Sequence, residues 1–317
     1  MHWLLLAILS YLIFAVTSLI DKHLLSGPVS SPKVYAFYVG ILGAFVFLII
    51  PFIDFFIPPA KWIFLSILAG IFTTYGLFWL YQALSSFEAS RVIPVVGGLT
   101  PLFVLVLIYF FSREKELLRP SELAAFLFLV SGSILITYEG KHISLGVLKN
   151  SSFAAFFGAL GFVLTKYVYL ALPFWSGLSW ISLGGVLFAL FLFSFSKEVR
   201  KEILKRPAPS LERPPLFKKY KTAVLFLGNR GLSALGGILQ NFSIYLAPLV
   251  YITMVNALSG IQYAFLLILV FVISLKFPKF LKEEISGTIL IRKALAIFLI
   301  FFGLMLLSLS RSVLGVI

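Results

Sequence analysis

An arginine inside a long apolar stretch is the residue of this sequence best placed to do chemistry. Arg230 lies about nine residues into the stretch 222–246, which corresponds to roughly 13 Å of helix. A charge at that depth of an apolar layer costs at least about 2.5–3.5 kcal/mol, so it should face a cavity or a partner. The side chain can serve as a counter-charge for a carboxylate or phosphate of a bound solute. It can equally be a structural arginine that main-chain carbonyls or a loop carboxylate satisfy.

Uncharged polar side chains are concentrated near this arginine in the second half of the sequence. We expect Asn256 in particular to line a central cavity, because a buried amide needs hydrogen-bond partners. Such amides can also join helices, through bonds that average about 0.6 kcal/mol. The aromatic residues Tyr75, Trp79 and Tyr81 of an earlier stretch can line the same cavity. The predicted binding residues are Arg230, Asn229, Asn256, Gln262, Tyr263, Gln240, Tyr75 and Trp79.

Acidic side chains are absent from the middle of every apolar stretch. Those that approach one are expected at helix ends or in loops, namely Asp21, Asp54, Glu88 and Glu139. A buried carboxylate is the usual means of coupling proton entry to the export of a cation. Its absence counts against a proton-driven exporter of cationic compounds.

Three further charges lie near predicted helix ends. Lys166 is expected to extend to a membrane interface, as long basic side chains commonly do. Glu88 and Arg91, three residues apart, can form a gate at the mouth of a helix. They can also be an interfacial ion pair, which would contribute little to stability.

Two prolines are candidate hinges, and no residue pattern indicates catalysis. Pro94 and Pro101 lie within one apolar stretch, where each removes a helix hydrogen bond. The sequence has no cysteine, and its three histidines adjoin no HExxH or acidic metal-binding pattern. Neither a phosphate loop nor a GxGxxG pattern occurs. We therefore expect no catalytic residue, no metal and no cofactor, and an enzyme is not predicted.

The composition requires lipid around most of the chain. Of 317 residues, 61% are hydrophobic and 12% are charged, whereas soluble domains carry about 25% charged residues. Continuous apolar runs of about 20 residues are typical of transmembrane helices rather than barrel strands. The net charge of +14 comes from residues in loops, where they determine topology, so nucleic acid is not an expected partner. Ten helices are predicted, near 3–21, 34–55, 61–84, 89–111, 120–138, 152–171, 174–196, 222–246, 249–275 and 291–310.

The second five stretches repeat the pattern of the first five. The end of helix 1, Leu19-Ile20-Asp21-Lys22, aligns with the end of helix 6, Val163-Leu164-Thr165-Lys166, and the segment 82–102 aligns with 240–261. Charged turns at 112–115 and 279–284 follow these segments. An odd number of helices in each repeat forces the halves into opposite orientations, which is characteristic of secondary transporters. We predict an all-α polytopic membrane protein with ten transmembrane helices in two inverted five-helix repeats, 1–145 and 146–317. The second repeat includes a basic loop at 197–221, with a short surface helix expected at its start.

The order of these segments resembles the drug/metabolite transporter superfamily, specifically its EamA-type permeases. The residues that carry the resemblance run from Ala83 to Phe103 (ALSSFEASRVIPVVGGLTPLF), followed by Phe110-Phe111-Ser112-Arg113-Glu114. The corresponding segment of the second half, from Val255 to Tyr263, lacks the proline of this pattern. The resemblance implies a transporter with a membrane-embedded binding site, and its degenerate motifs carry little information about the substrate.

The orientation in the membrane is predicted from the loop charges. Loops on one side of the predicted bundle hold 19 Lys and Arg residues and the opposite side holds 5. The positive-inside rule therefore places both termini outside, whereas the resemblance implies termini in the cytoplasm. We expect an integral membrane protein of a prokaryotic plasma membrane.

These features predict a secondary transporter that works by alternating access. Its partners are membrane lipid and a small-molecule substrate, which we expect to be a small polar metabolite, amino-acid-like or anionic. A non-transporting membrane scaffold or lipid-handling protein is the alternative. A cavity at mid-membrane depth would distinguish the two, because a scaffold should be tightly packed there.

Overall fold

A computed structural model gives the structure of this protein. It describes residues 2–26, 31–111, 120–136, 138–139, 142–143, 145–204, 216–247, 252–276 and 287–312. The predicted charged turns at 112–115 and 279–284 lie outside the described residues, as does the part of the basic loop from 205 to 215.

Helices form almost all of the described structure. They are α1 (His2–Leu25), α2 (Pro32–Leu42), α3 (Ala60–Ser86), α4 (Ala89–Phe111), α5 (Pro120–Ile136), α6 (Leu145–Ala171), α7 (Phe174–Phe195), α8 (Lys197–Leu204), α9 (Leu216–Leu246), α10 (Ile252–Ala257), α11 (Ser259–Lys276) and α12 (Gly287–Ser312). A 3₁₀ helix, Gly43–Phe52, continues α2. A two-residue antiparallel pair, β1 (Tyr138–Glu139) and β2 (His142–Ile143), precedes α6. Within the described ranges, 7 helical segments are long and apolar enough to cross a membrane.

Within the described residues, helix occupies most of each of the ten predicted stretches, so the prediction of an all-α polytopic membrane protein is confirmed. Two stretches are less regular than expected. The second is an α-helix only as far as Leu42 and then tightens into the 3₁₀ helix, which contains Pro51. The ninth is interrupted at Leu258, between α10 and α11. The short helix expected at the start of the basic loop is α8.

Close helix packing in the bundle depends on glycines that face other main chains. Gly70 of α3 lies against α7, where its added Cβ would be 3.0 Å from the Cα atom of Gly184. Gly76 of α3 lies against α6, where its added Cβ would be 2.8 Å from the amide nitrogen of Gly158. Small residues let membrane helices approach in this way and gain dispersion contacts along their length. As a result α3 is held firmly between α6 and α7.

The second half of the chain returns to pack against α1. Ser243 of α9 donates to the carbonyl of Trp3 at 2.8 Å, and Asn229 of α9 lies 3.5 Å from the carbonyl of Thr17. These contacts show that α1 and α9 run antiparallel. They place the residues of α9 near 230 beside the last turns of α1.

Candidate functional site

A buried ionic cluster lies where α1, α2, α3 and α9 meet. Asp21 of α1 is its acceptor, and three donors converge on its Oδ1 atom. Tyr35 Oη and Asn229 Nδ2 each donate to that oxygen at 2.5 Å, and Arg230 Nη2 forms a salt bridge with it. The side chains of Arg230 and Asp21 are only 8% and 9% exposed. The arginine predicted from the sequence therefore has a carboxylate partner.

Aromatic side chains enclose the Arg230 guanidinium. Arg230 Nη1 donates to Tyr81 Oη at 3.0 Å. The guanidinium carbon lies 5.2 Å from the ring centre of Tyr35, 6.0 Å from that of Tyr81 and 5.8 Å from that of Phe226. Cation–π contacts of this kind stabilise a desolvated cation by about 2 kcal/mol or more. They hold the charge without occupying all of its hydrogen-bond donors.

Two polar atoms of the cluster make no hydrogen bond within the described part of the chain. They are Arg230 Nε, a donor, and Asn229 Oδ1, an acceptor, and both are buried. Leaving such a group unsatisfied costs about 1–3 kcal/mol. Adjacent residues of α9 thus offer one donor and one acceptor to a ligand or to water.

Local structure fixes the positions of the cluster residues. Phe226, Asn229 and Arg230 share one face of α9 because they are three and four residues apart. Tyr35 follows the start of α2, where Pro32 is the first helical residue and Ser31 caps the helix by accepting from the Val34 amide. Pro32 suits that position because a first-turn amide has no partner within the helix.

Asp21 overturns one expectation from the sequence. It was expected at the end of the first helix, but α1 continues to Leu25 and buries the carboxylate. The prediction that the chain lacks a buried carboxylate was therefore wrong. The signal for it was the need of Arg230 for a counter-charge, which Asp21 at the end of the first apolar stretch could meet. Arg230 accordingly lies level with the last turns of α1 rather than with its middle.

Gln240, Gln262 and Tyr263 lie in a second polar group, between α1, α4, α9 and α11. Tyr263 Oη donates to Ser259 Oγ at 2.6 Å, and Gln262 Nε2 lies 3.5 Å from Ser18 Oγ. Gln240 of α9 is within hydrogen-bonding reach of the Tyr11 hydroxyl. Asn256 is buried near the end of α10, close to the interruption of this span. That these residues line a cavity stays a prediction.

Gly97, between the two predicted hinge prolines, packs directly against Tyr263. An added Cβ at Gly97 would coincide with the Tyr263 hydroxyl. Pro94 and Pro101 both lie inside α4, which continues through them as a single helix. Because Pro101 has no amide hydrogen, the Gly97 carbonyl lacks the usual donor four residues ahead. The hinge role of the prolines stays a prediction, and the close approach of Tyr263 is the new observation.

The structure does not bring Tyr75 and Trp79 to the Arg230 cluster. Tyr75 packs on Phe157 and Phe188, with ring centres 4.5 and 5.6 Å apart, and Trp79 stacks on Phe153 at 4.7 Å. These contacts direct both residues toward α6 and α7. The aromatic residue of α3 that reaches the arginine is Tyr81, which was a candidate for the cavity wall but was not among the predicted binding residues.

A second ionic cluster ties α4 to α12. Glu88 Oε2 accepts from Arg91 Nε at 3.0 Å and from Lys293 Nζ at 2.6 Å, and Lys293 also donates to Ser90 Oγ at 2.7 Å. The predicted pair of Glu88 and Arg91 is therefore present. It is more buried than an interfacial pair. The contact of Lys293 was missed because this lysine was counted among the loop charges, although it lies at the start of the tenth predicted stretch, 291–310.

Lys166 does not extend to the membrane interface, contrary to expectation. It is 3% exposed and donates to the carbonyls of Ile244 and Ala247 at 3.0 and 2.6 Å. These carbonyls end α9 and have no partner within the helix. The lysine therefore caps a helix terminus inside the protein.

The described spans and their buried ionic cluster define the class of protein, a polytopic helical membrane protein with a polar site inside the bundle. Residues 1–138 match the model of the EamA-like transporter family, which is part of the drug/metabolite transporter superfamily. The resemblance in the sequence is thereby confirmed. The family match indicates a membrane transporter.

A solved crystal structure of a protein shares the fold over nearly the whole chain. The alignment covers 98% of this chain and 96% of that chain, with a TM-score of 0.56 and 16% sequence identity. At this identity the similarity establishes the fold alone. No curated protein matches the sequence.

Proposed function

We propose that this protein is a secondary transporter that moves a small polar metabolite, amino-acid-like or anionic, across a prokaryotic plasma membrane by alternating access. The observation that carries the proposal is the buried Arg230 with its unsatisfied Nε donor. A solute carboxylate or phosphate supplies the acceptor that this donor needs. A solute hydroxyl or ammonium supplies the donor that Asn229 Oδ1 needs.

The position of Arg230 between the two halves of the chain supports alternating access. The first half supplies its partners Asp21, Tyr35 and Tyr81, while the arginine itself belongs to the second half. A relative movement of the halves must therefore remake the contacts of this side chain. A ligand that binds Arg230 is coupled to that movement because it replaces some of those contacts.

Two matching contacts favour an inverted pair of five-helix repeats, 1–145 and 146–317. Lys22 Nζ of α1 donates to the carbonyl of Leu84, near the end of α3, at 2.9 Å. Lys166 of α6 makes the corresponding bonds at the end of α9. Because the sequence pairs α1 with α6 and α3 with α9, the two lysines make the same contact in each half.

The Arg230 cluster lies at the end of the bundle that carries the basic loops. The end of α1, the start of α2 and the end of α3 all contribute to it, through Asp21, Tyr35 and Tyr81. By the positive-inside rule this end faces the cytoplasm and both termini face outward. The family habit of cytoplasmic termini is the alternative orientation.

Exchange transport in proteoliposomes tests the function. Liposomes with the purified protein are loaded with one unlabelled solute, and uptake of the ¹⁴C-labelled form of the same solute is measured. The solutes tested are the common amino acids, lactate, succinate and glycerol 3-phosphate. At least one solute should exchange. Arg230→Gln should then reduce its exchange rate at least tenfold, since the substituted amide carries no positive charge for the anion.

The matched control is Arg200→Gln, which removes an exposed arginine of α8 and should leave exchange unchanged. Because Arg230→Gln leaves Asp21 without its partner, the double variant Asp21→Asn/Arg230→Gln keeps the site neutral and should also fail to exchange. Full exchange by the folded double variant would remove the role of Arg230. A protein that exchanges no solute on the panel would favour the scaffold or lipid-handling alternative.

A further inference from the structure

We infer that Asp21 is the proton-carrying group of this transporter, so that each anionic substrate crosses the membrane together with one proton. The inference rests on the proposed function, because it concerns the same site and requires a solute anion to bind Arg230. Asp21 competes with that anion for the Arg230 guanidinium. Its carboxylate holds the guanidinium until a proton from the water on the open side neutralises it.

Charge balance in the buried site is the first argument. Arg230 and Asp21 together carry no net charge, and both side chains are less than a tenth exposed. An anion bound beside this pair would leave one uncompensated negative charge in a buried place, which is strongly unfavourable. A proton on Asp21 removes that charge. Anion binding and proton binding therefore favour each other.

The neighbours of Asp21 can accept the change of its protonation state. Tyr35 donates to Asp21 Oδ1, and its hydroxyl can rotate to accept a hydrogen bond instead. Asn229 donates through Nδ2 while its Oδ1 has no partner among the described residues. A half-turn of this amide points Oδ1 at the proton of a neutral Asp21. The buried and unsatisfied amide oxygen is thus suited to the protonated state of the site.

The charged and titratable groups around Asp21 come from the helices packed on α1. They are Tyr35 of α2, Tyr81 of α3, Arg230 of α9 and, within α1 itself, Lys22. Lys22 directs its ammonium to the Leu84 carbonyl, and α11 presents the uncharged Gln262 to α1. The charges near the start of α4, Glu88 and Arg91, bind each other and Lys293. Arg230 is the cation in direct contact with the carboxylate, so protonation of Asp21 releases the Arg230 guanidinium.

Acid-driven accumulation tests the inference. Proteoliposomes that enclose the pH indicator pyranine receive ¹⁴C-labelled lactate, succinate, glutamate or glycerol 3-phosphate, and the acid with the fastest exchange is carried forward. An outside pH one unit below the inside pH should drive about a tenfold accumulation of a monoanion through the wild-type protein, since one proton enters with it. The ratio of protons to acid taken up should be near one. Empty liposomes measure passive entry of the neutral acid.

Asp21→Asn should alter both the binding and the coupling of the same acid. Removal of the competing carboxylate should strengthen binding at pH 7.5 at least tenfold and abolish its dependence on pH. The acid-driven accumulation should be lost. The matched control is Asp54→Asn, which neutralises an exposed carboxylate between α2 and α3 and should accumulate the acid as the wild type does.

The outcomes separate the inference from the proposed function. Exchange by the wild type with no acid-driven accumulation and a proton ratio near zero overturns the role of Asp21 and leaves the transporter intact. Accumulation that persists in Asp21→Asn also overturns that role. No exchange of any acid on the panel overturns both proposals. If Asp21→Asn does not fold, the wild-type proton ratio decides alone.

Discussion

Lys22 and Lys166 make the same contact in the two halves of the chain, but the residues beside them differ. Each lysine donates to carbonyls at the end of a neighbouring helix. The residue before Lys22 is Asp21, which pairs with Arg230, whereas the residue before Lys166 is the buried Thr165. The two ends of the bundle therefore share a structural contact, and among the described residues an ion pair adjoins that contact only at the Lys22 end.

The central glycines of α3 and α9 differ in a similar way. The alignment of 82–102 with 240–261 extends back to pair Gly70 with Gly228. Gly70 lies against the main chain of α7, whereas a Cβ added to Gly228 would meet no atom of the described residues within 4 Å. The α3 face is closed by direct packing, and the matching face of α9 is open. The two halves are similar in sequence but pack differently at these matching positions.

Asp21→Thr gives the first half the residue that the second half has, and it should have the largest effect. Breaking a buried ion pair costs about 3–5 kcal/mol because the remaining charge has no partner. The free energy of unfolding, measured by SDS titration of the protein in mixed micelles, should fall by that amount. Asp21→Thr/Arg230→Met should recover most of the loss. A fall below about 1 kcal/mol for the single variant would contradict a dependence of Arg230 on Asp21.

Gly70→Ala and Gly228→Ala form a matched pair for the packing difference. The added methyl group at Gly70 meets main-chain atoms of α7 that cannot rotate away, so we expect a loss of about 2–3 kcal/mol. Gly228→Ala should be neutral or stabilising by up to about 1 kcal/mol, because alanine is the better helix former. The same unfolding titration measures both. Equal losses in the two variants would show that the α9 face is closed in the membrane.

Lys166→Met and Lys22→Met compare the shared contact, and their effects should be smaller. Lys166→Met leaves two carbonyls at the end of α9 without their donor, so we expect a loss of about 1.5 kcal/mol. Lys22 is less buried, and Lys22→Met should cost less. Thermal unfolding in detergent, followed by circular dichroism, can rank the two. The reverse ranking would contradict the view that Lys166 caps α9 from within the protein.

The spans were predictable because apolar length and continuity alone require them. The same reasoning identified Arg230, since a charge deep in an apolar run needs a partner wherever the chain places it. That need made Asp21 a possible partner, but its burial was not predictable, because the carboxylate is buried only if α1 continues beyond it to Leu25. A shift of one helical turn at the end of a helix changes a solvated carboxylate into a buried one.

The predicted aromatic residues of α3, Tyr75 and Trp79, do not contact Arg230, for a related reason. Tyr75, Trp79 and Tyr81 lie within seven residues, and all three are compatible with a cavity wall by residue type. Which of them faces α9 depends on the rotation of α3 about its axis. That rotation is set by the contacts of Gly70 and Gly76 with α7 and α6, which come from the tertiary structure rather than from the sequence of α3.

The contact between Gly97 and Tyr263 couples the substitutions that these two positions can accept. A side chain at residue 97 requires the Tyr263 side chain to move, since the Tyr263 hydroxyl fills that space. A substitution at residue 97 is therefore better tolerated after residue 263 has become smaller, which favours one order of mutations. Residues 166 positions apart in the chain, one in each half, are therefore expected to have a joint evolutionary history.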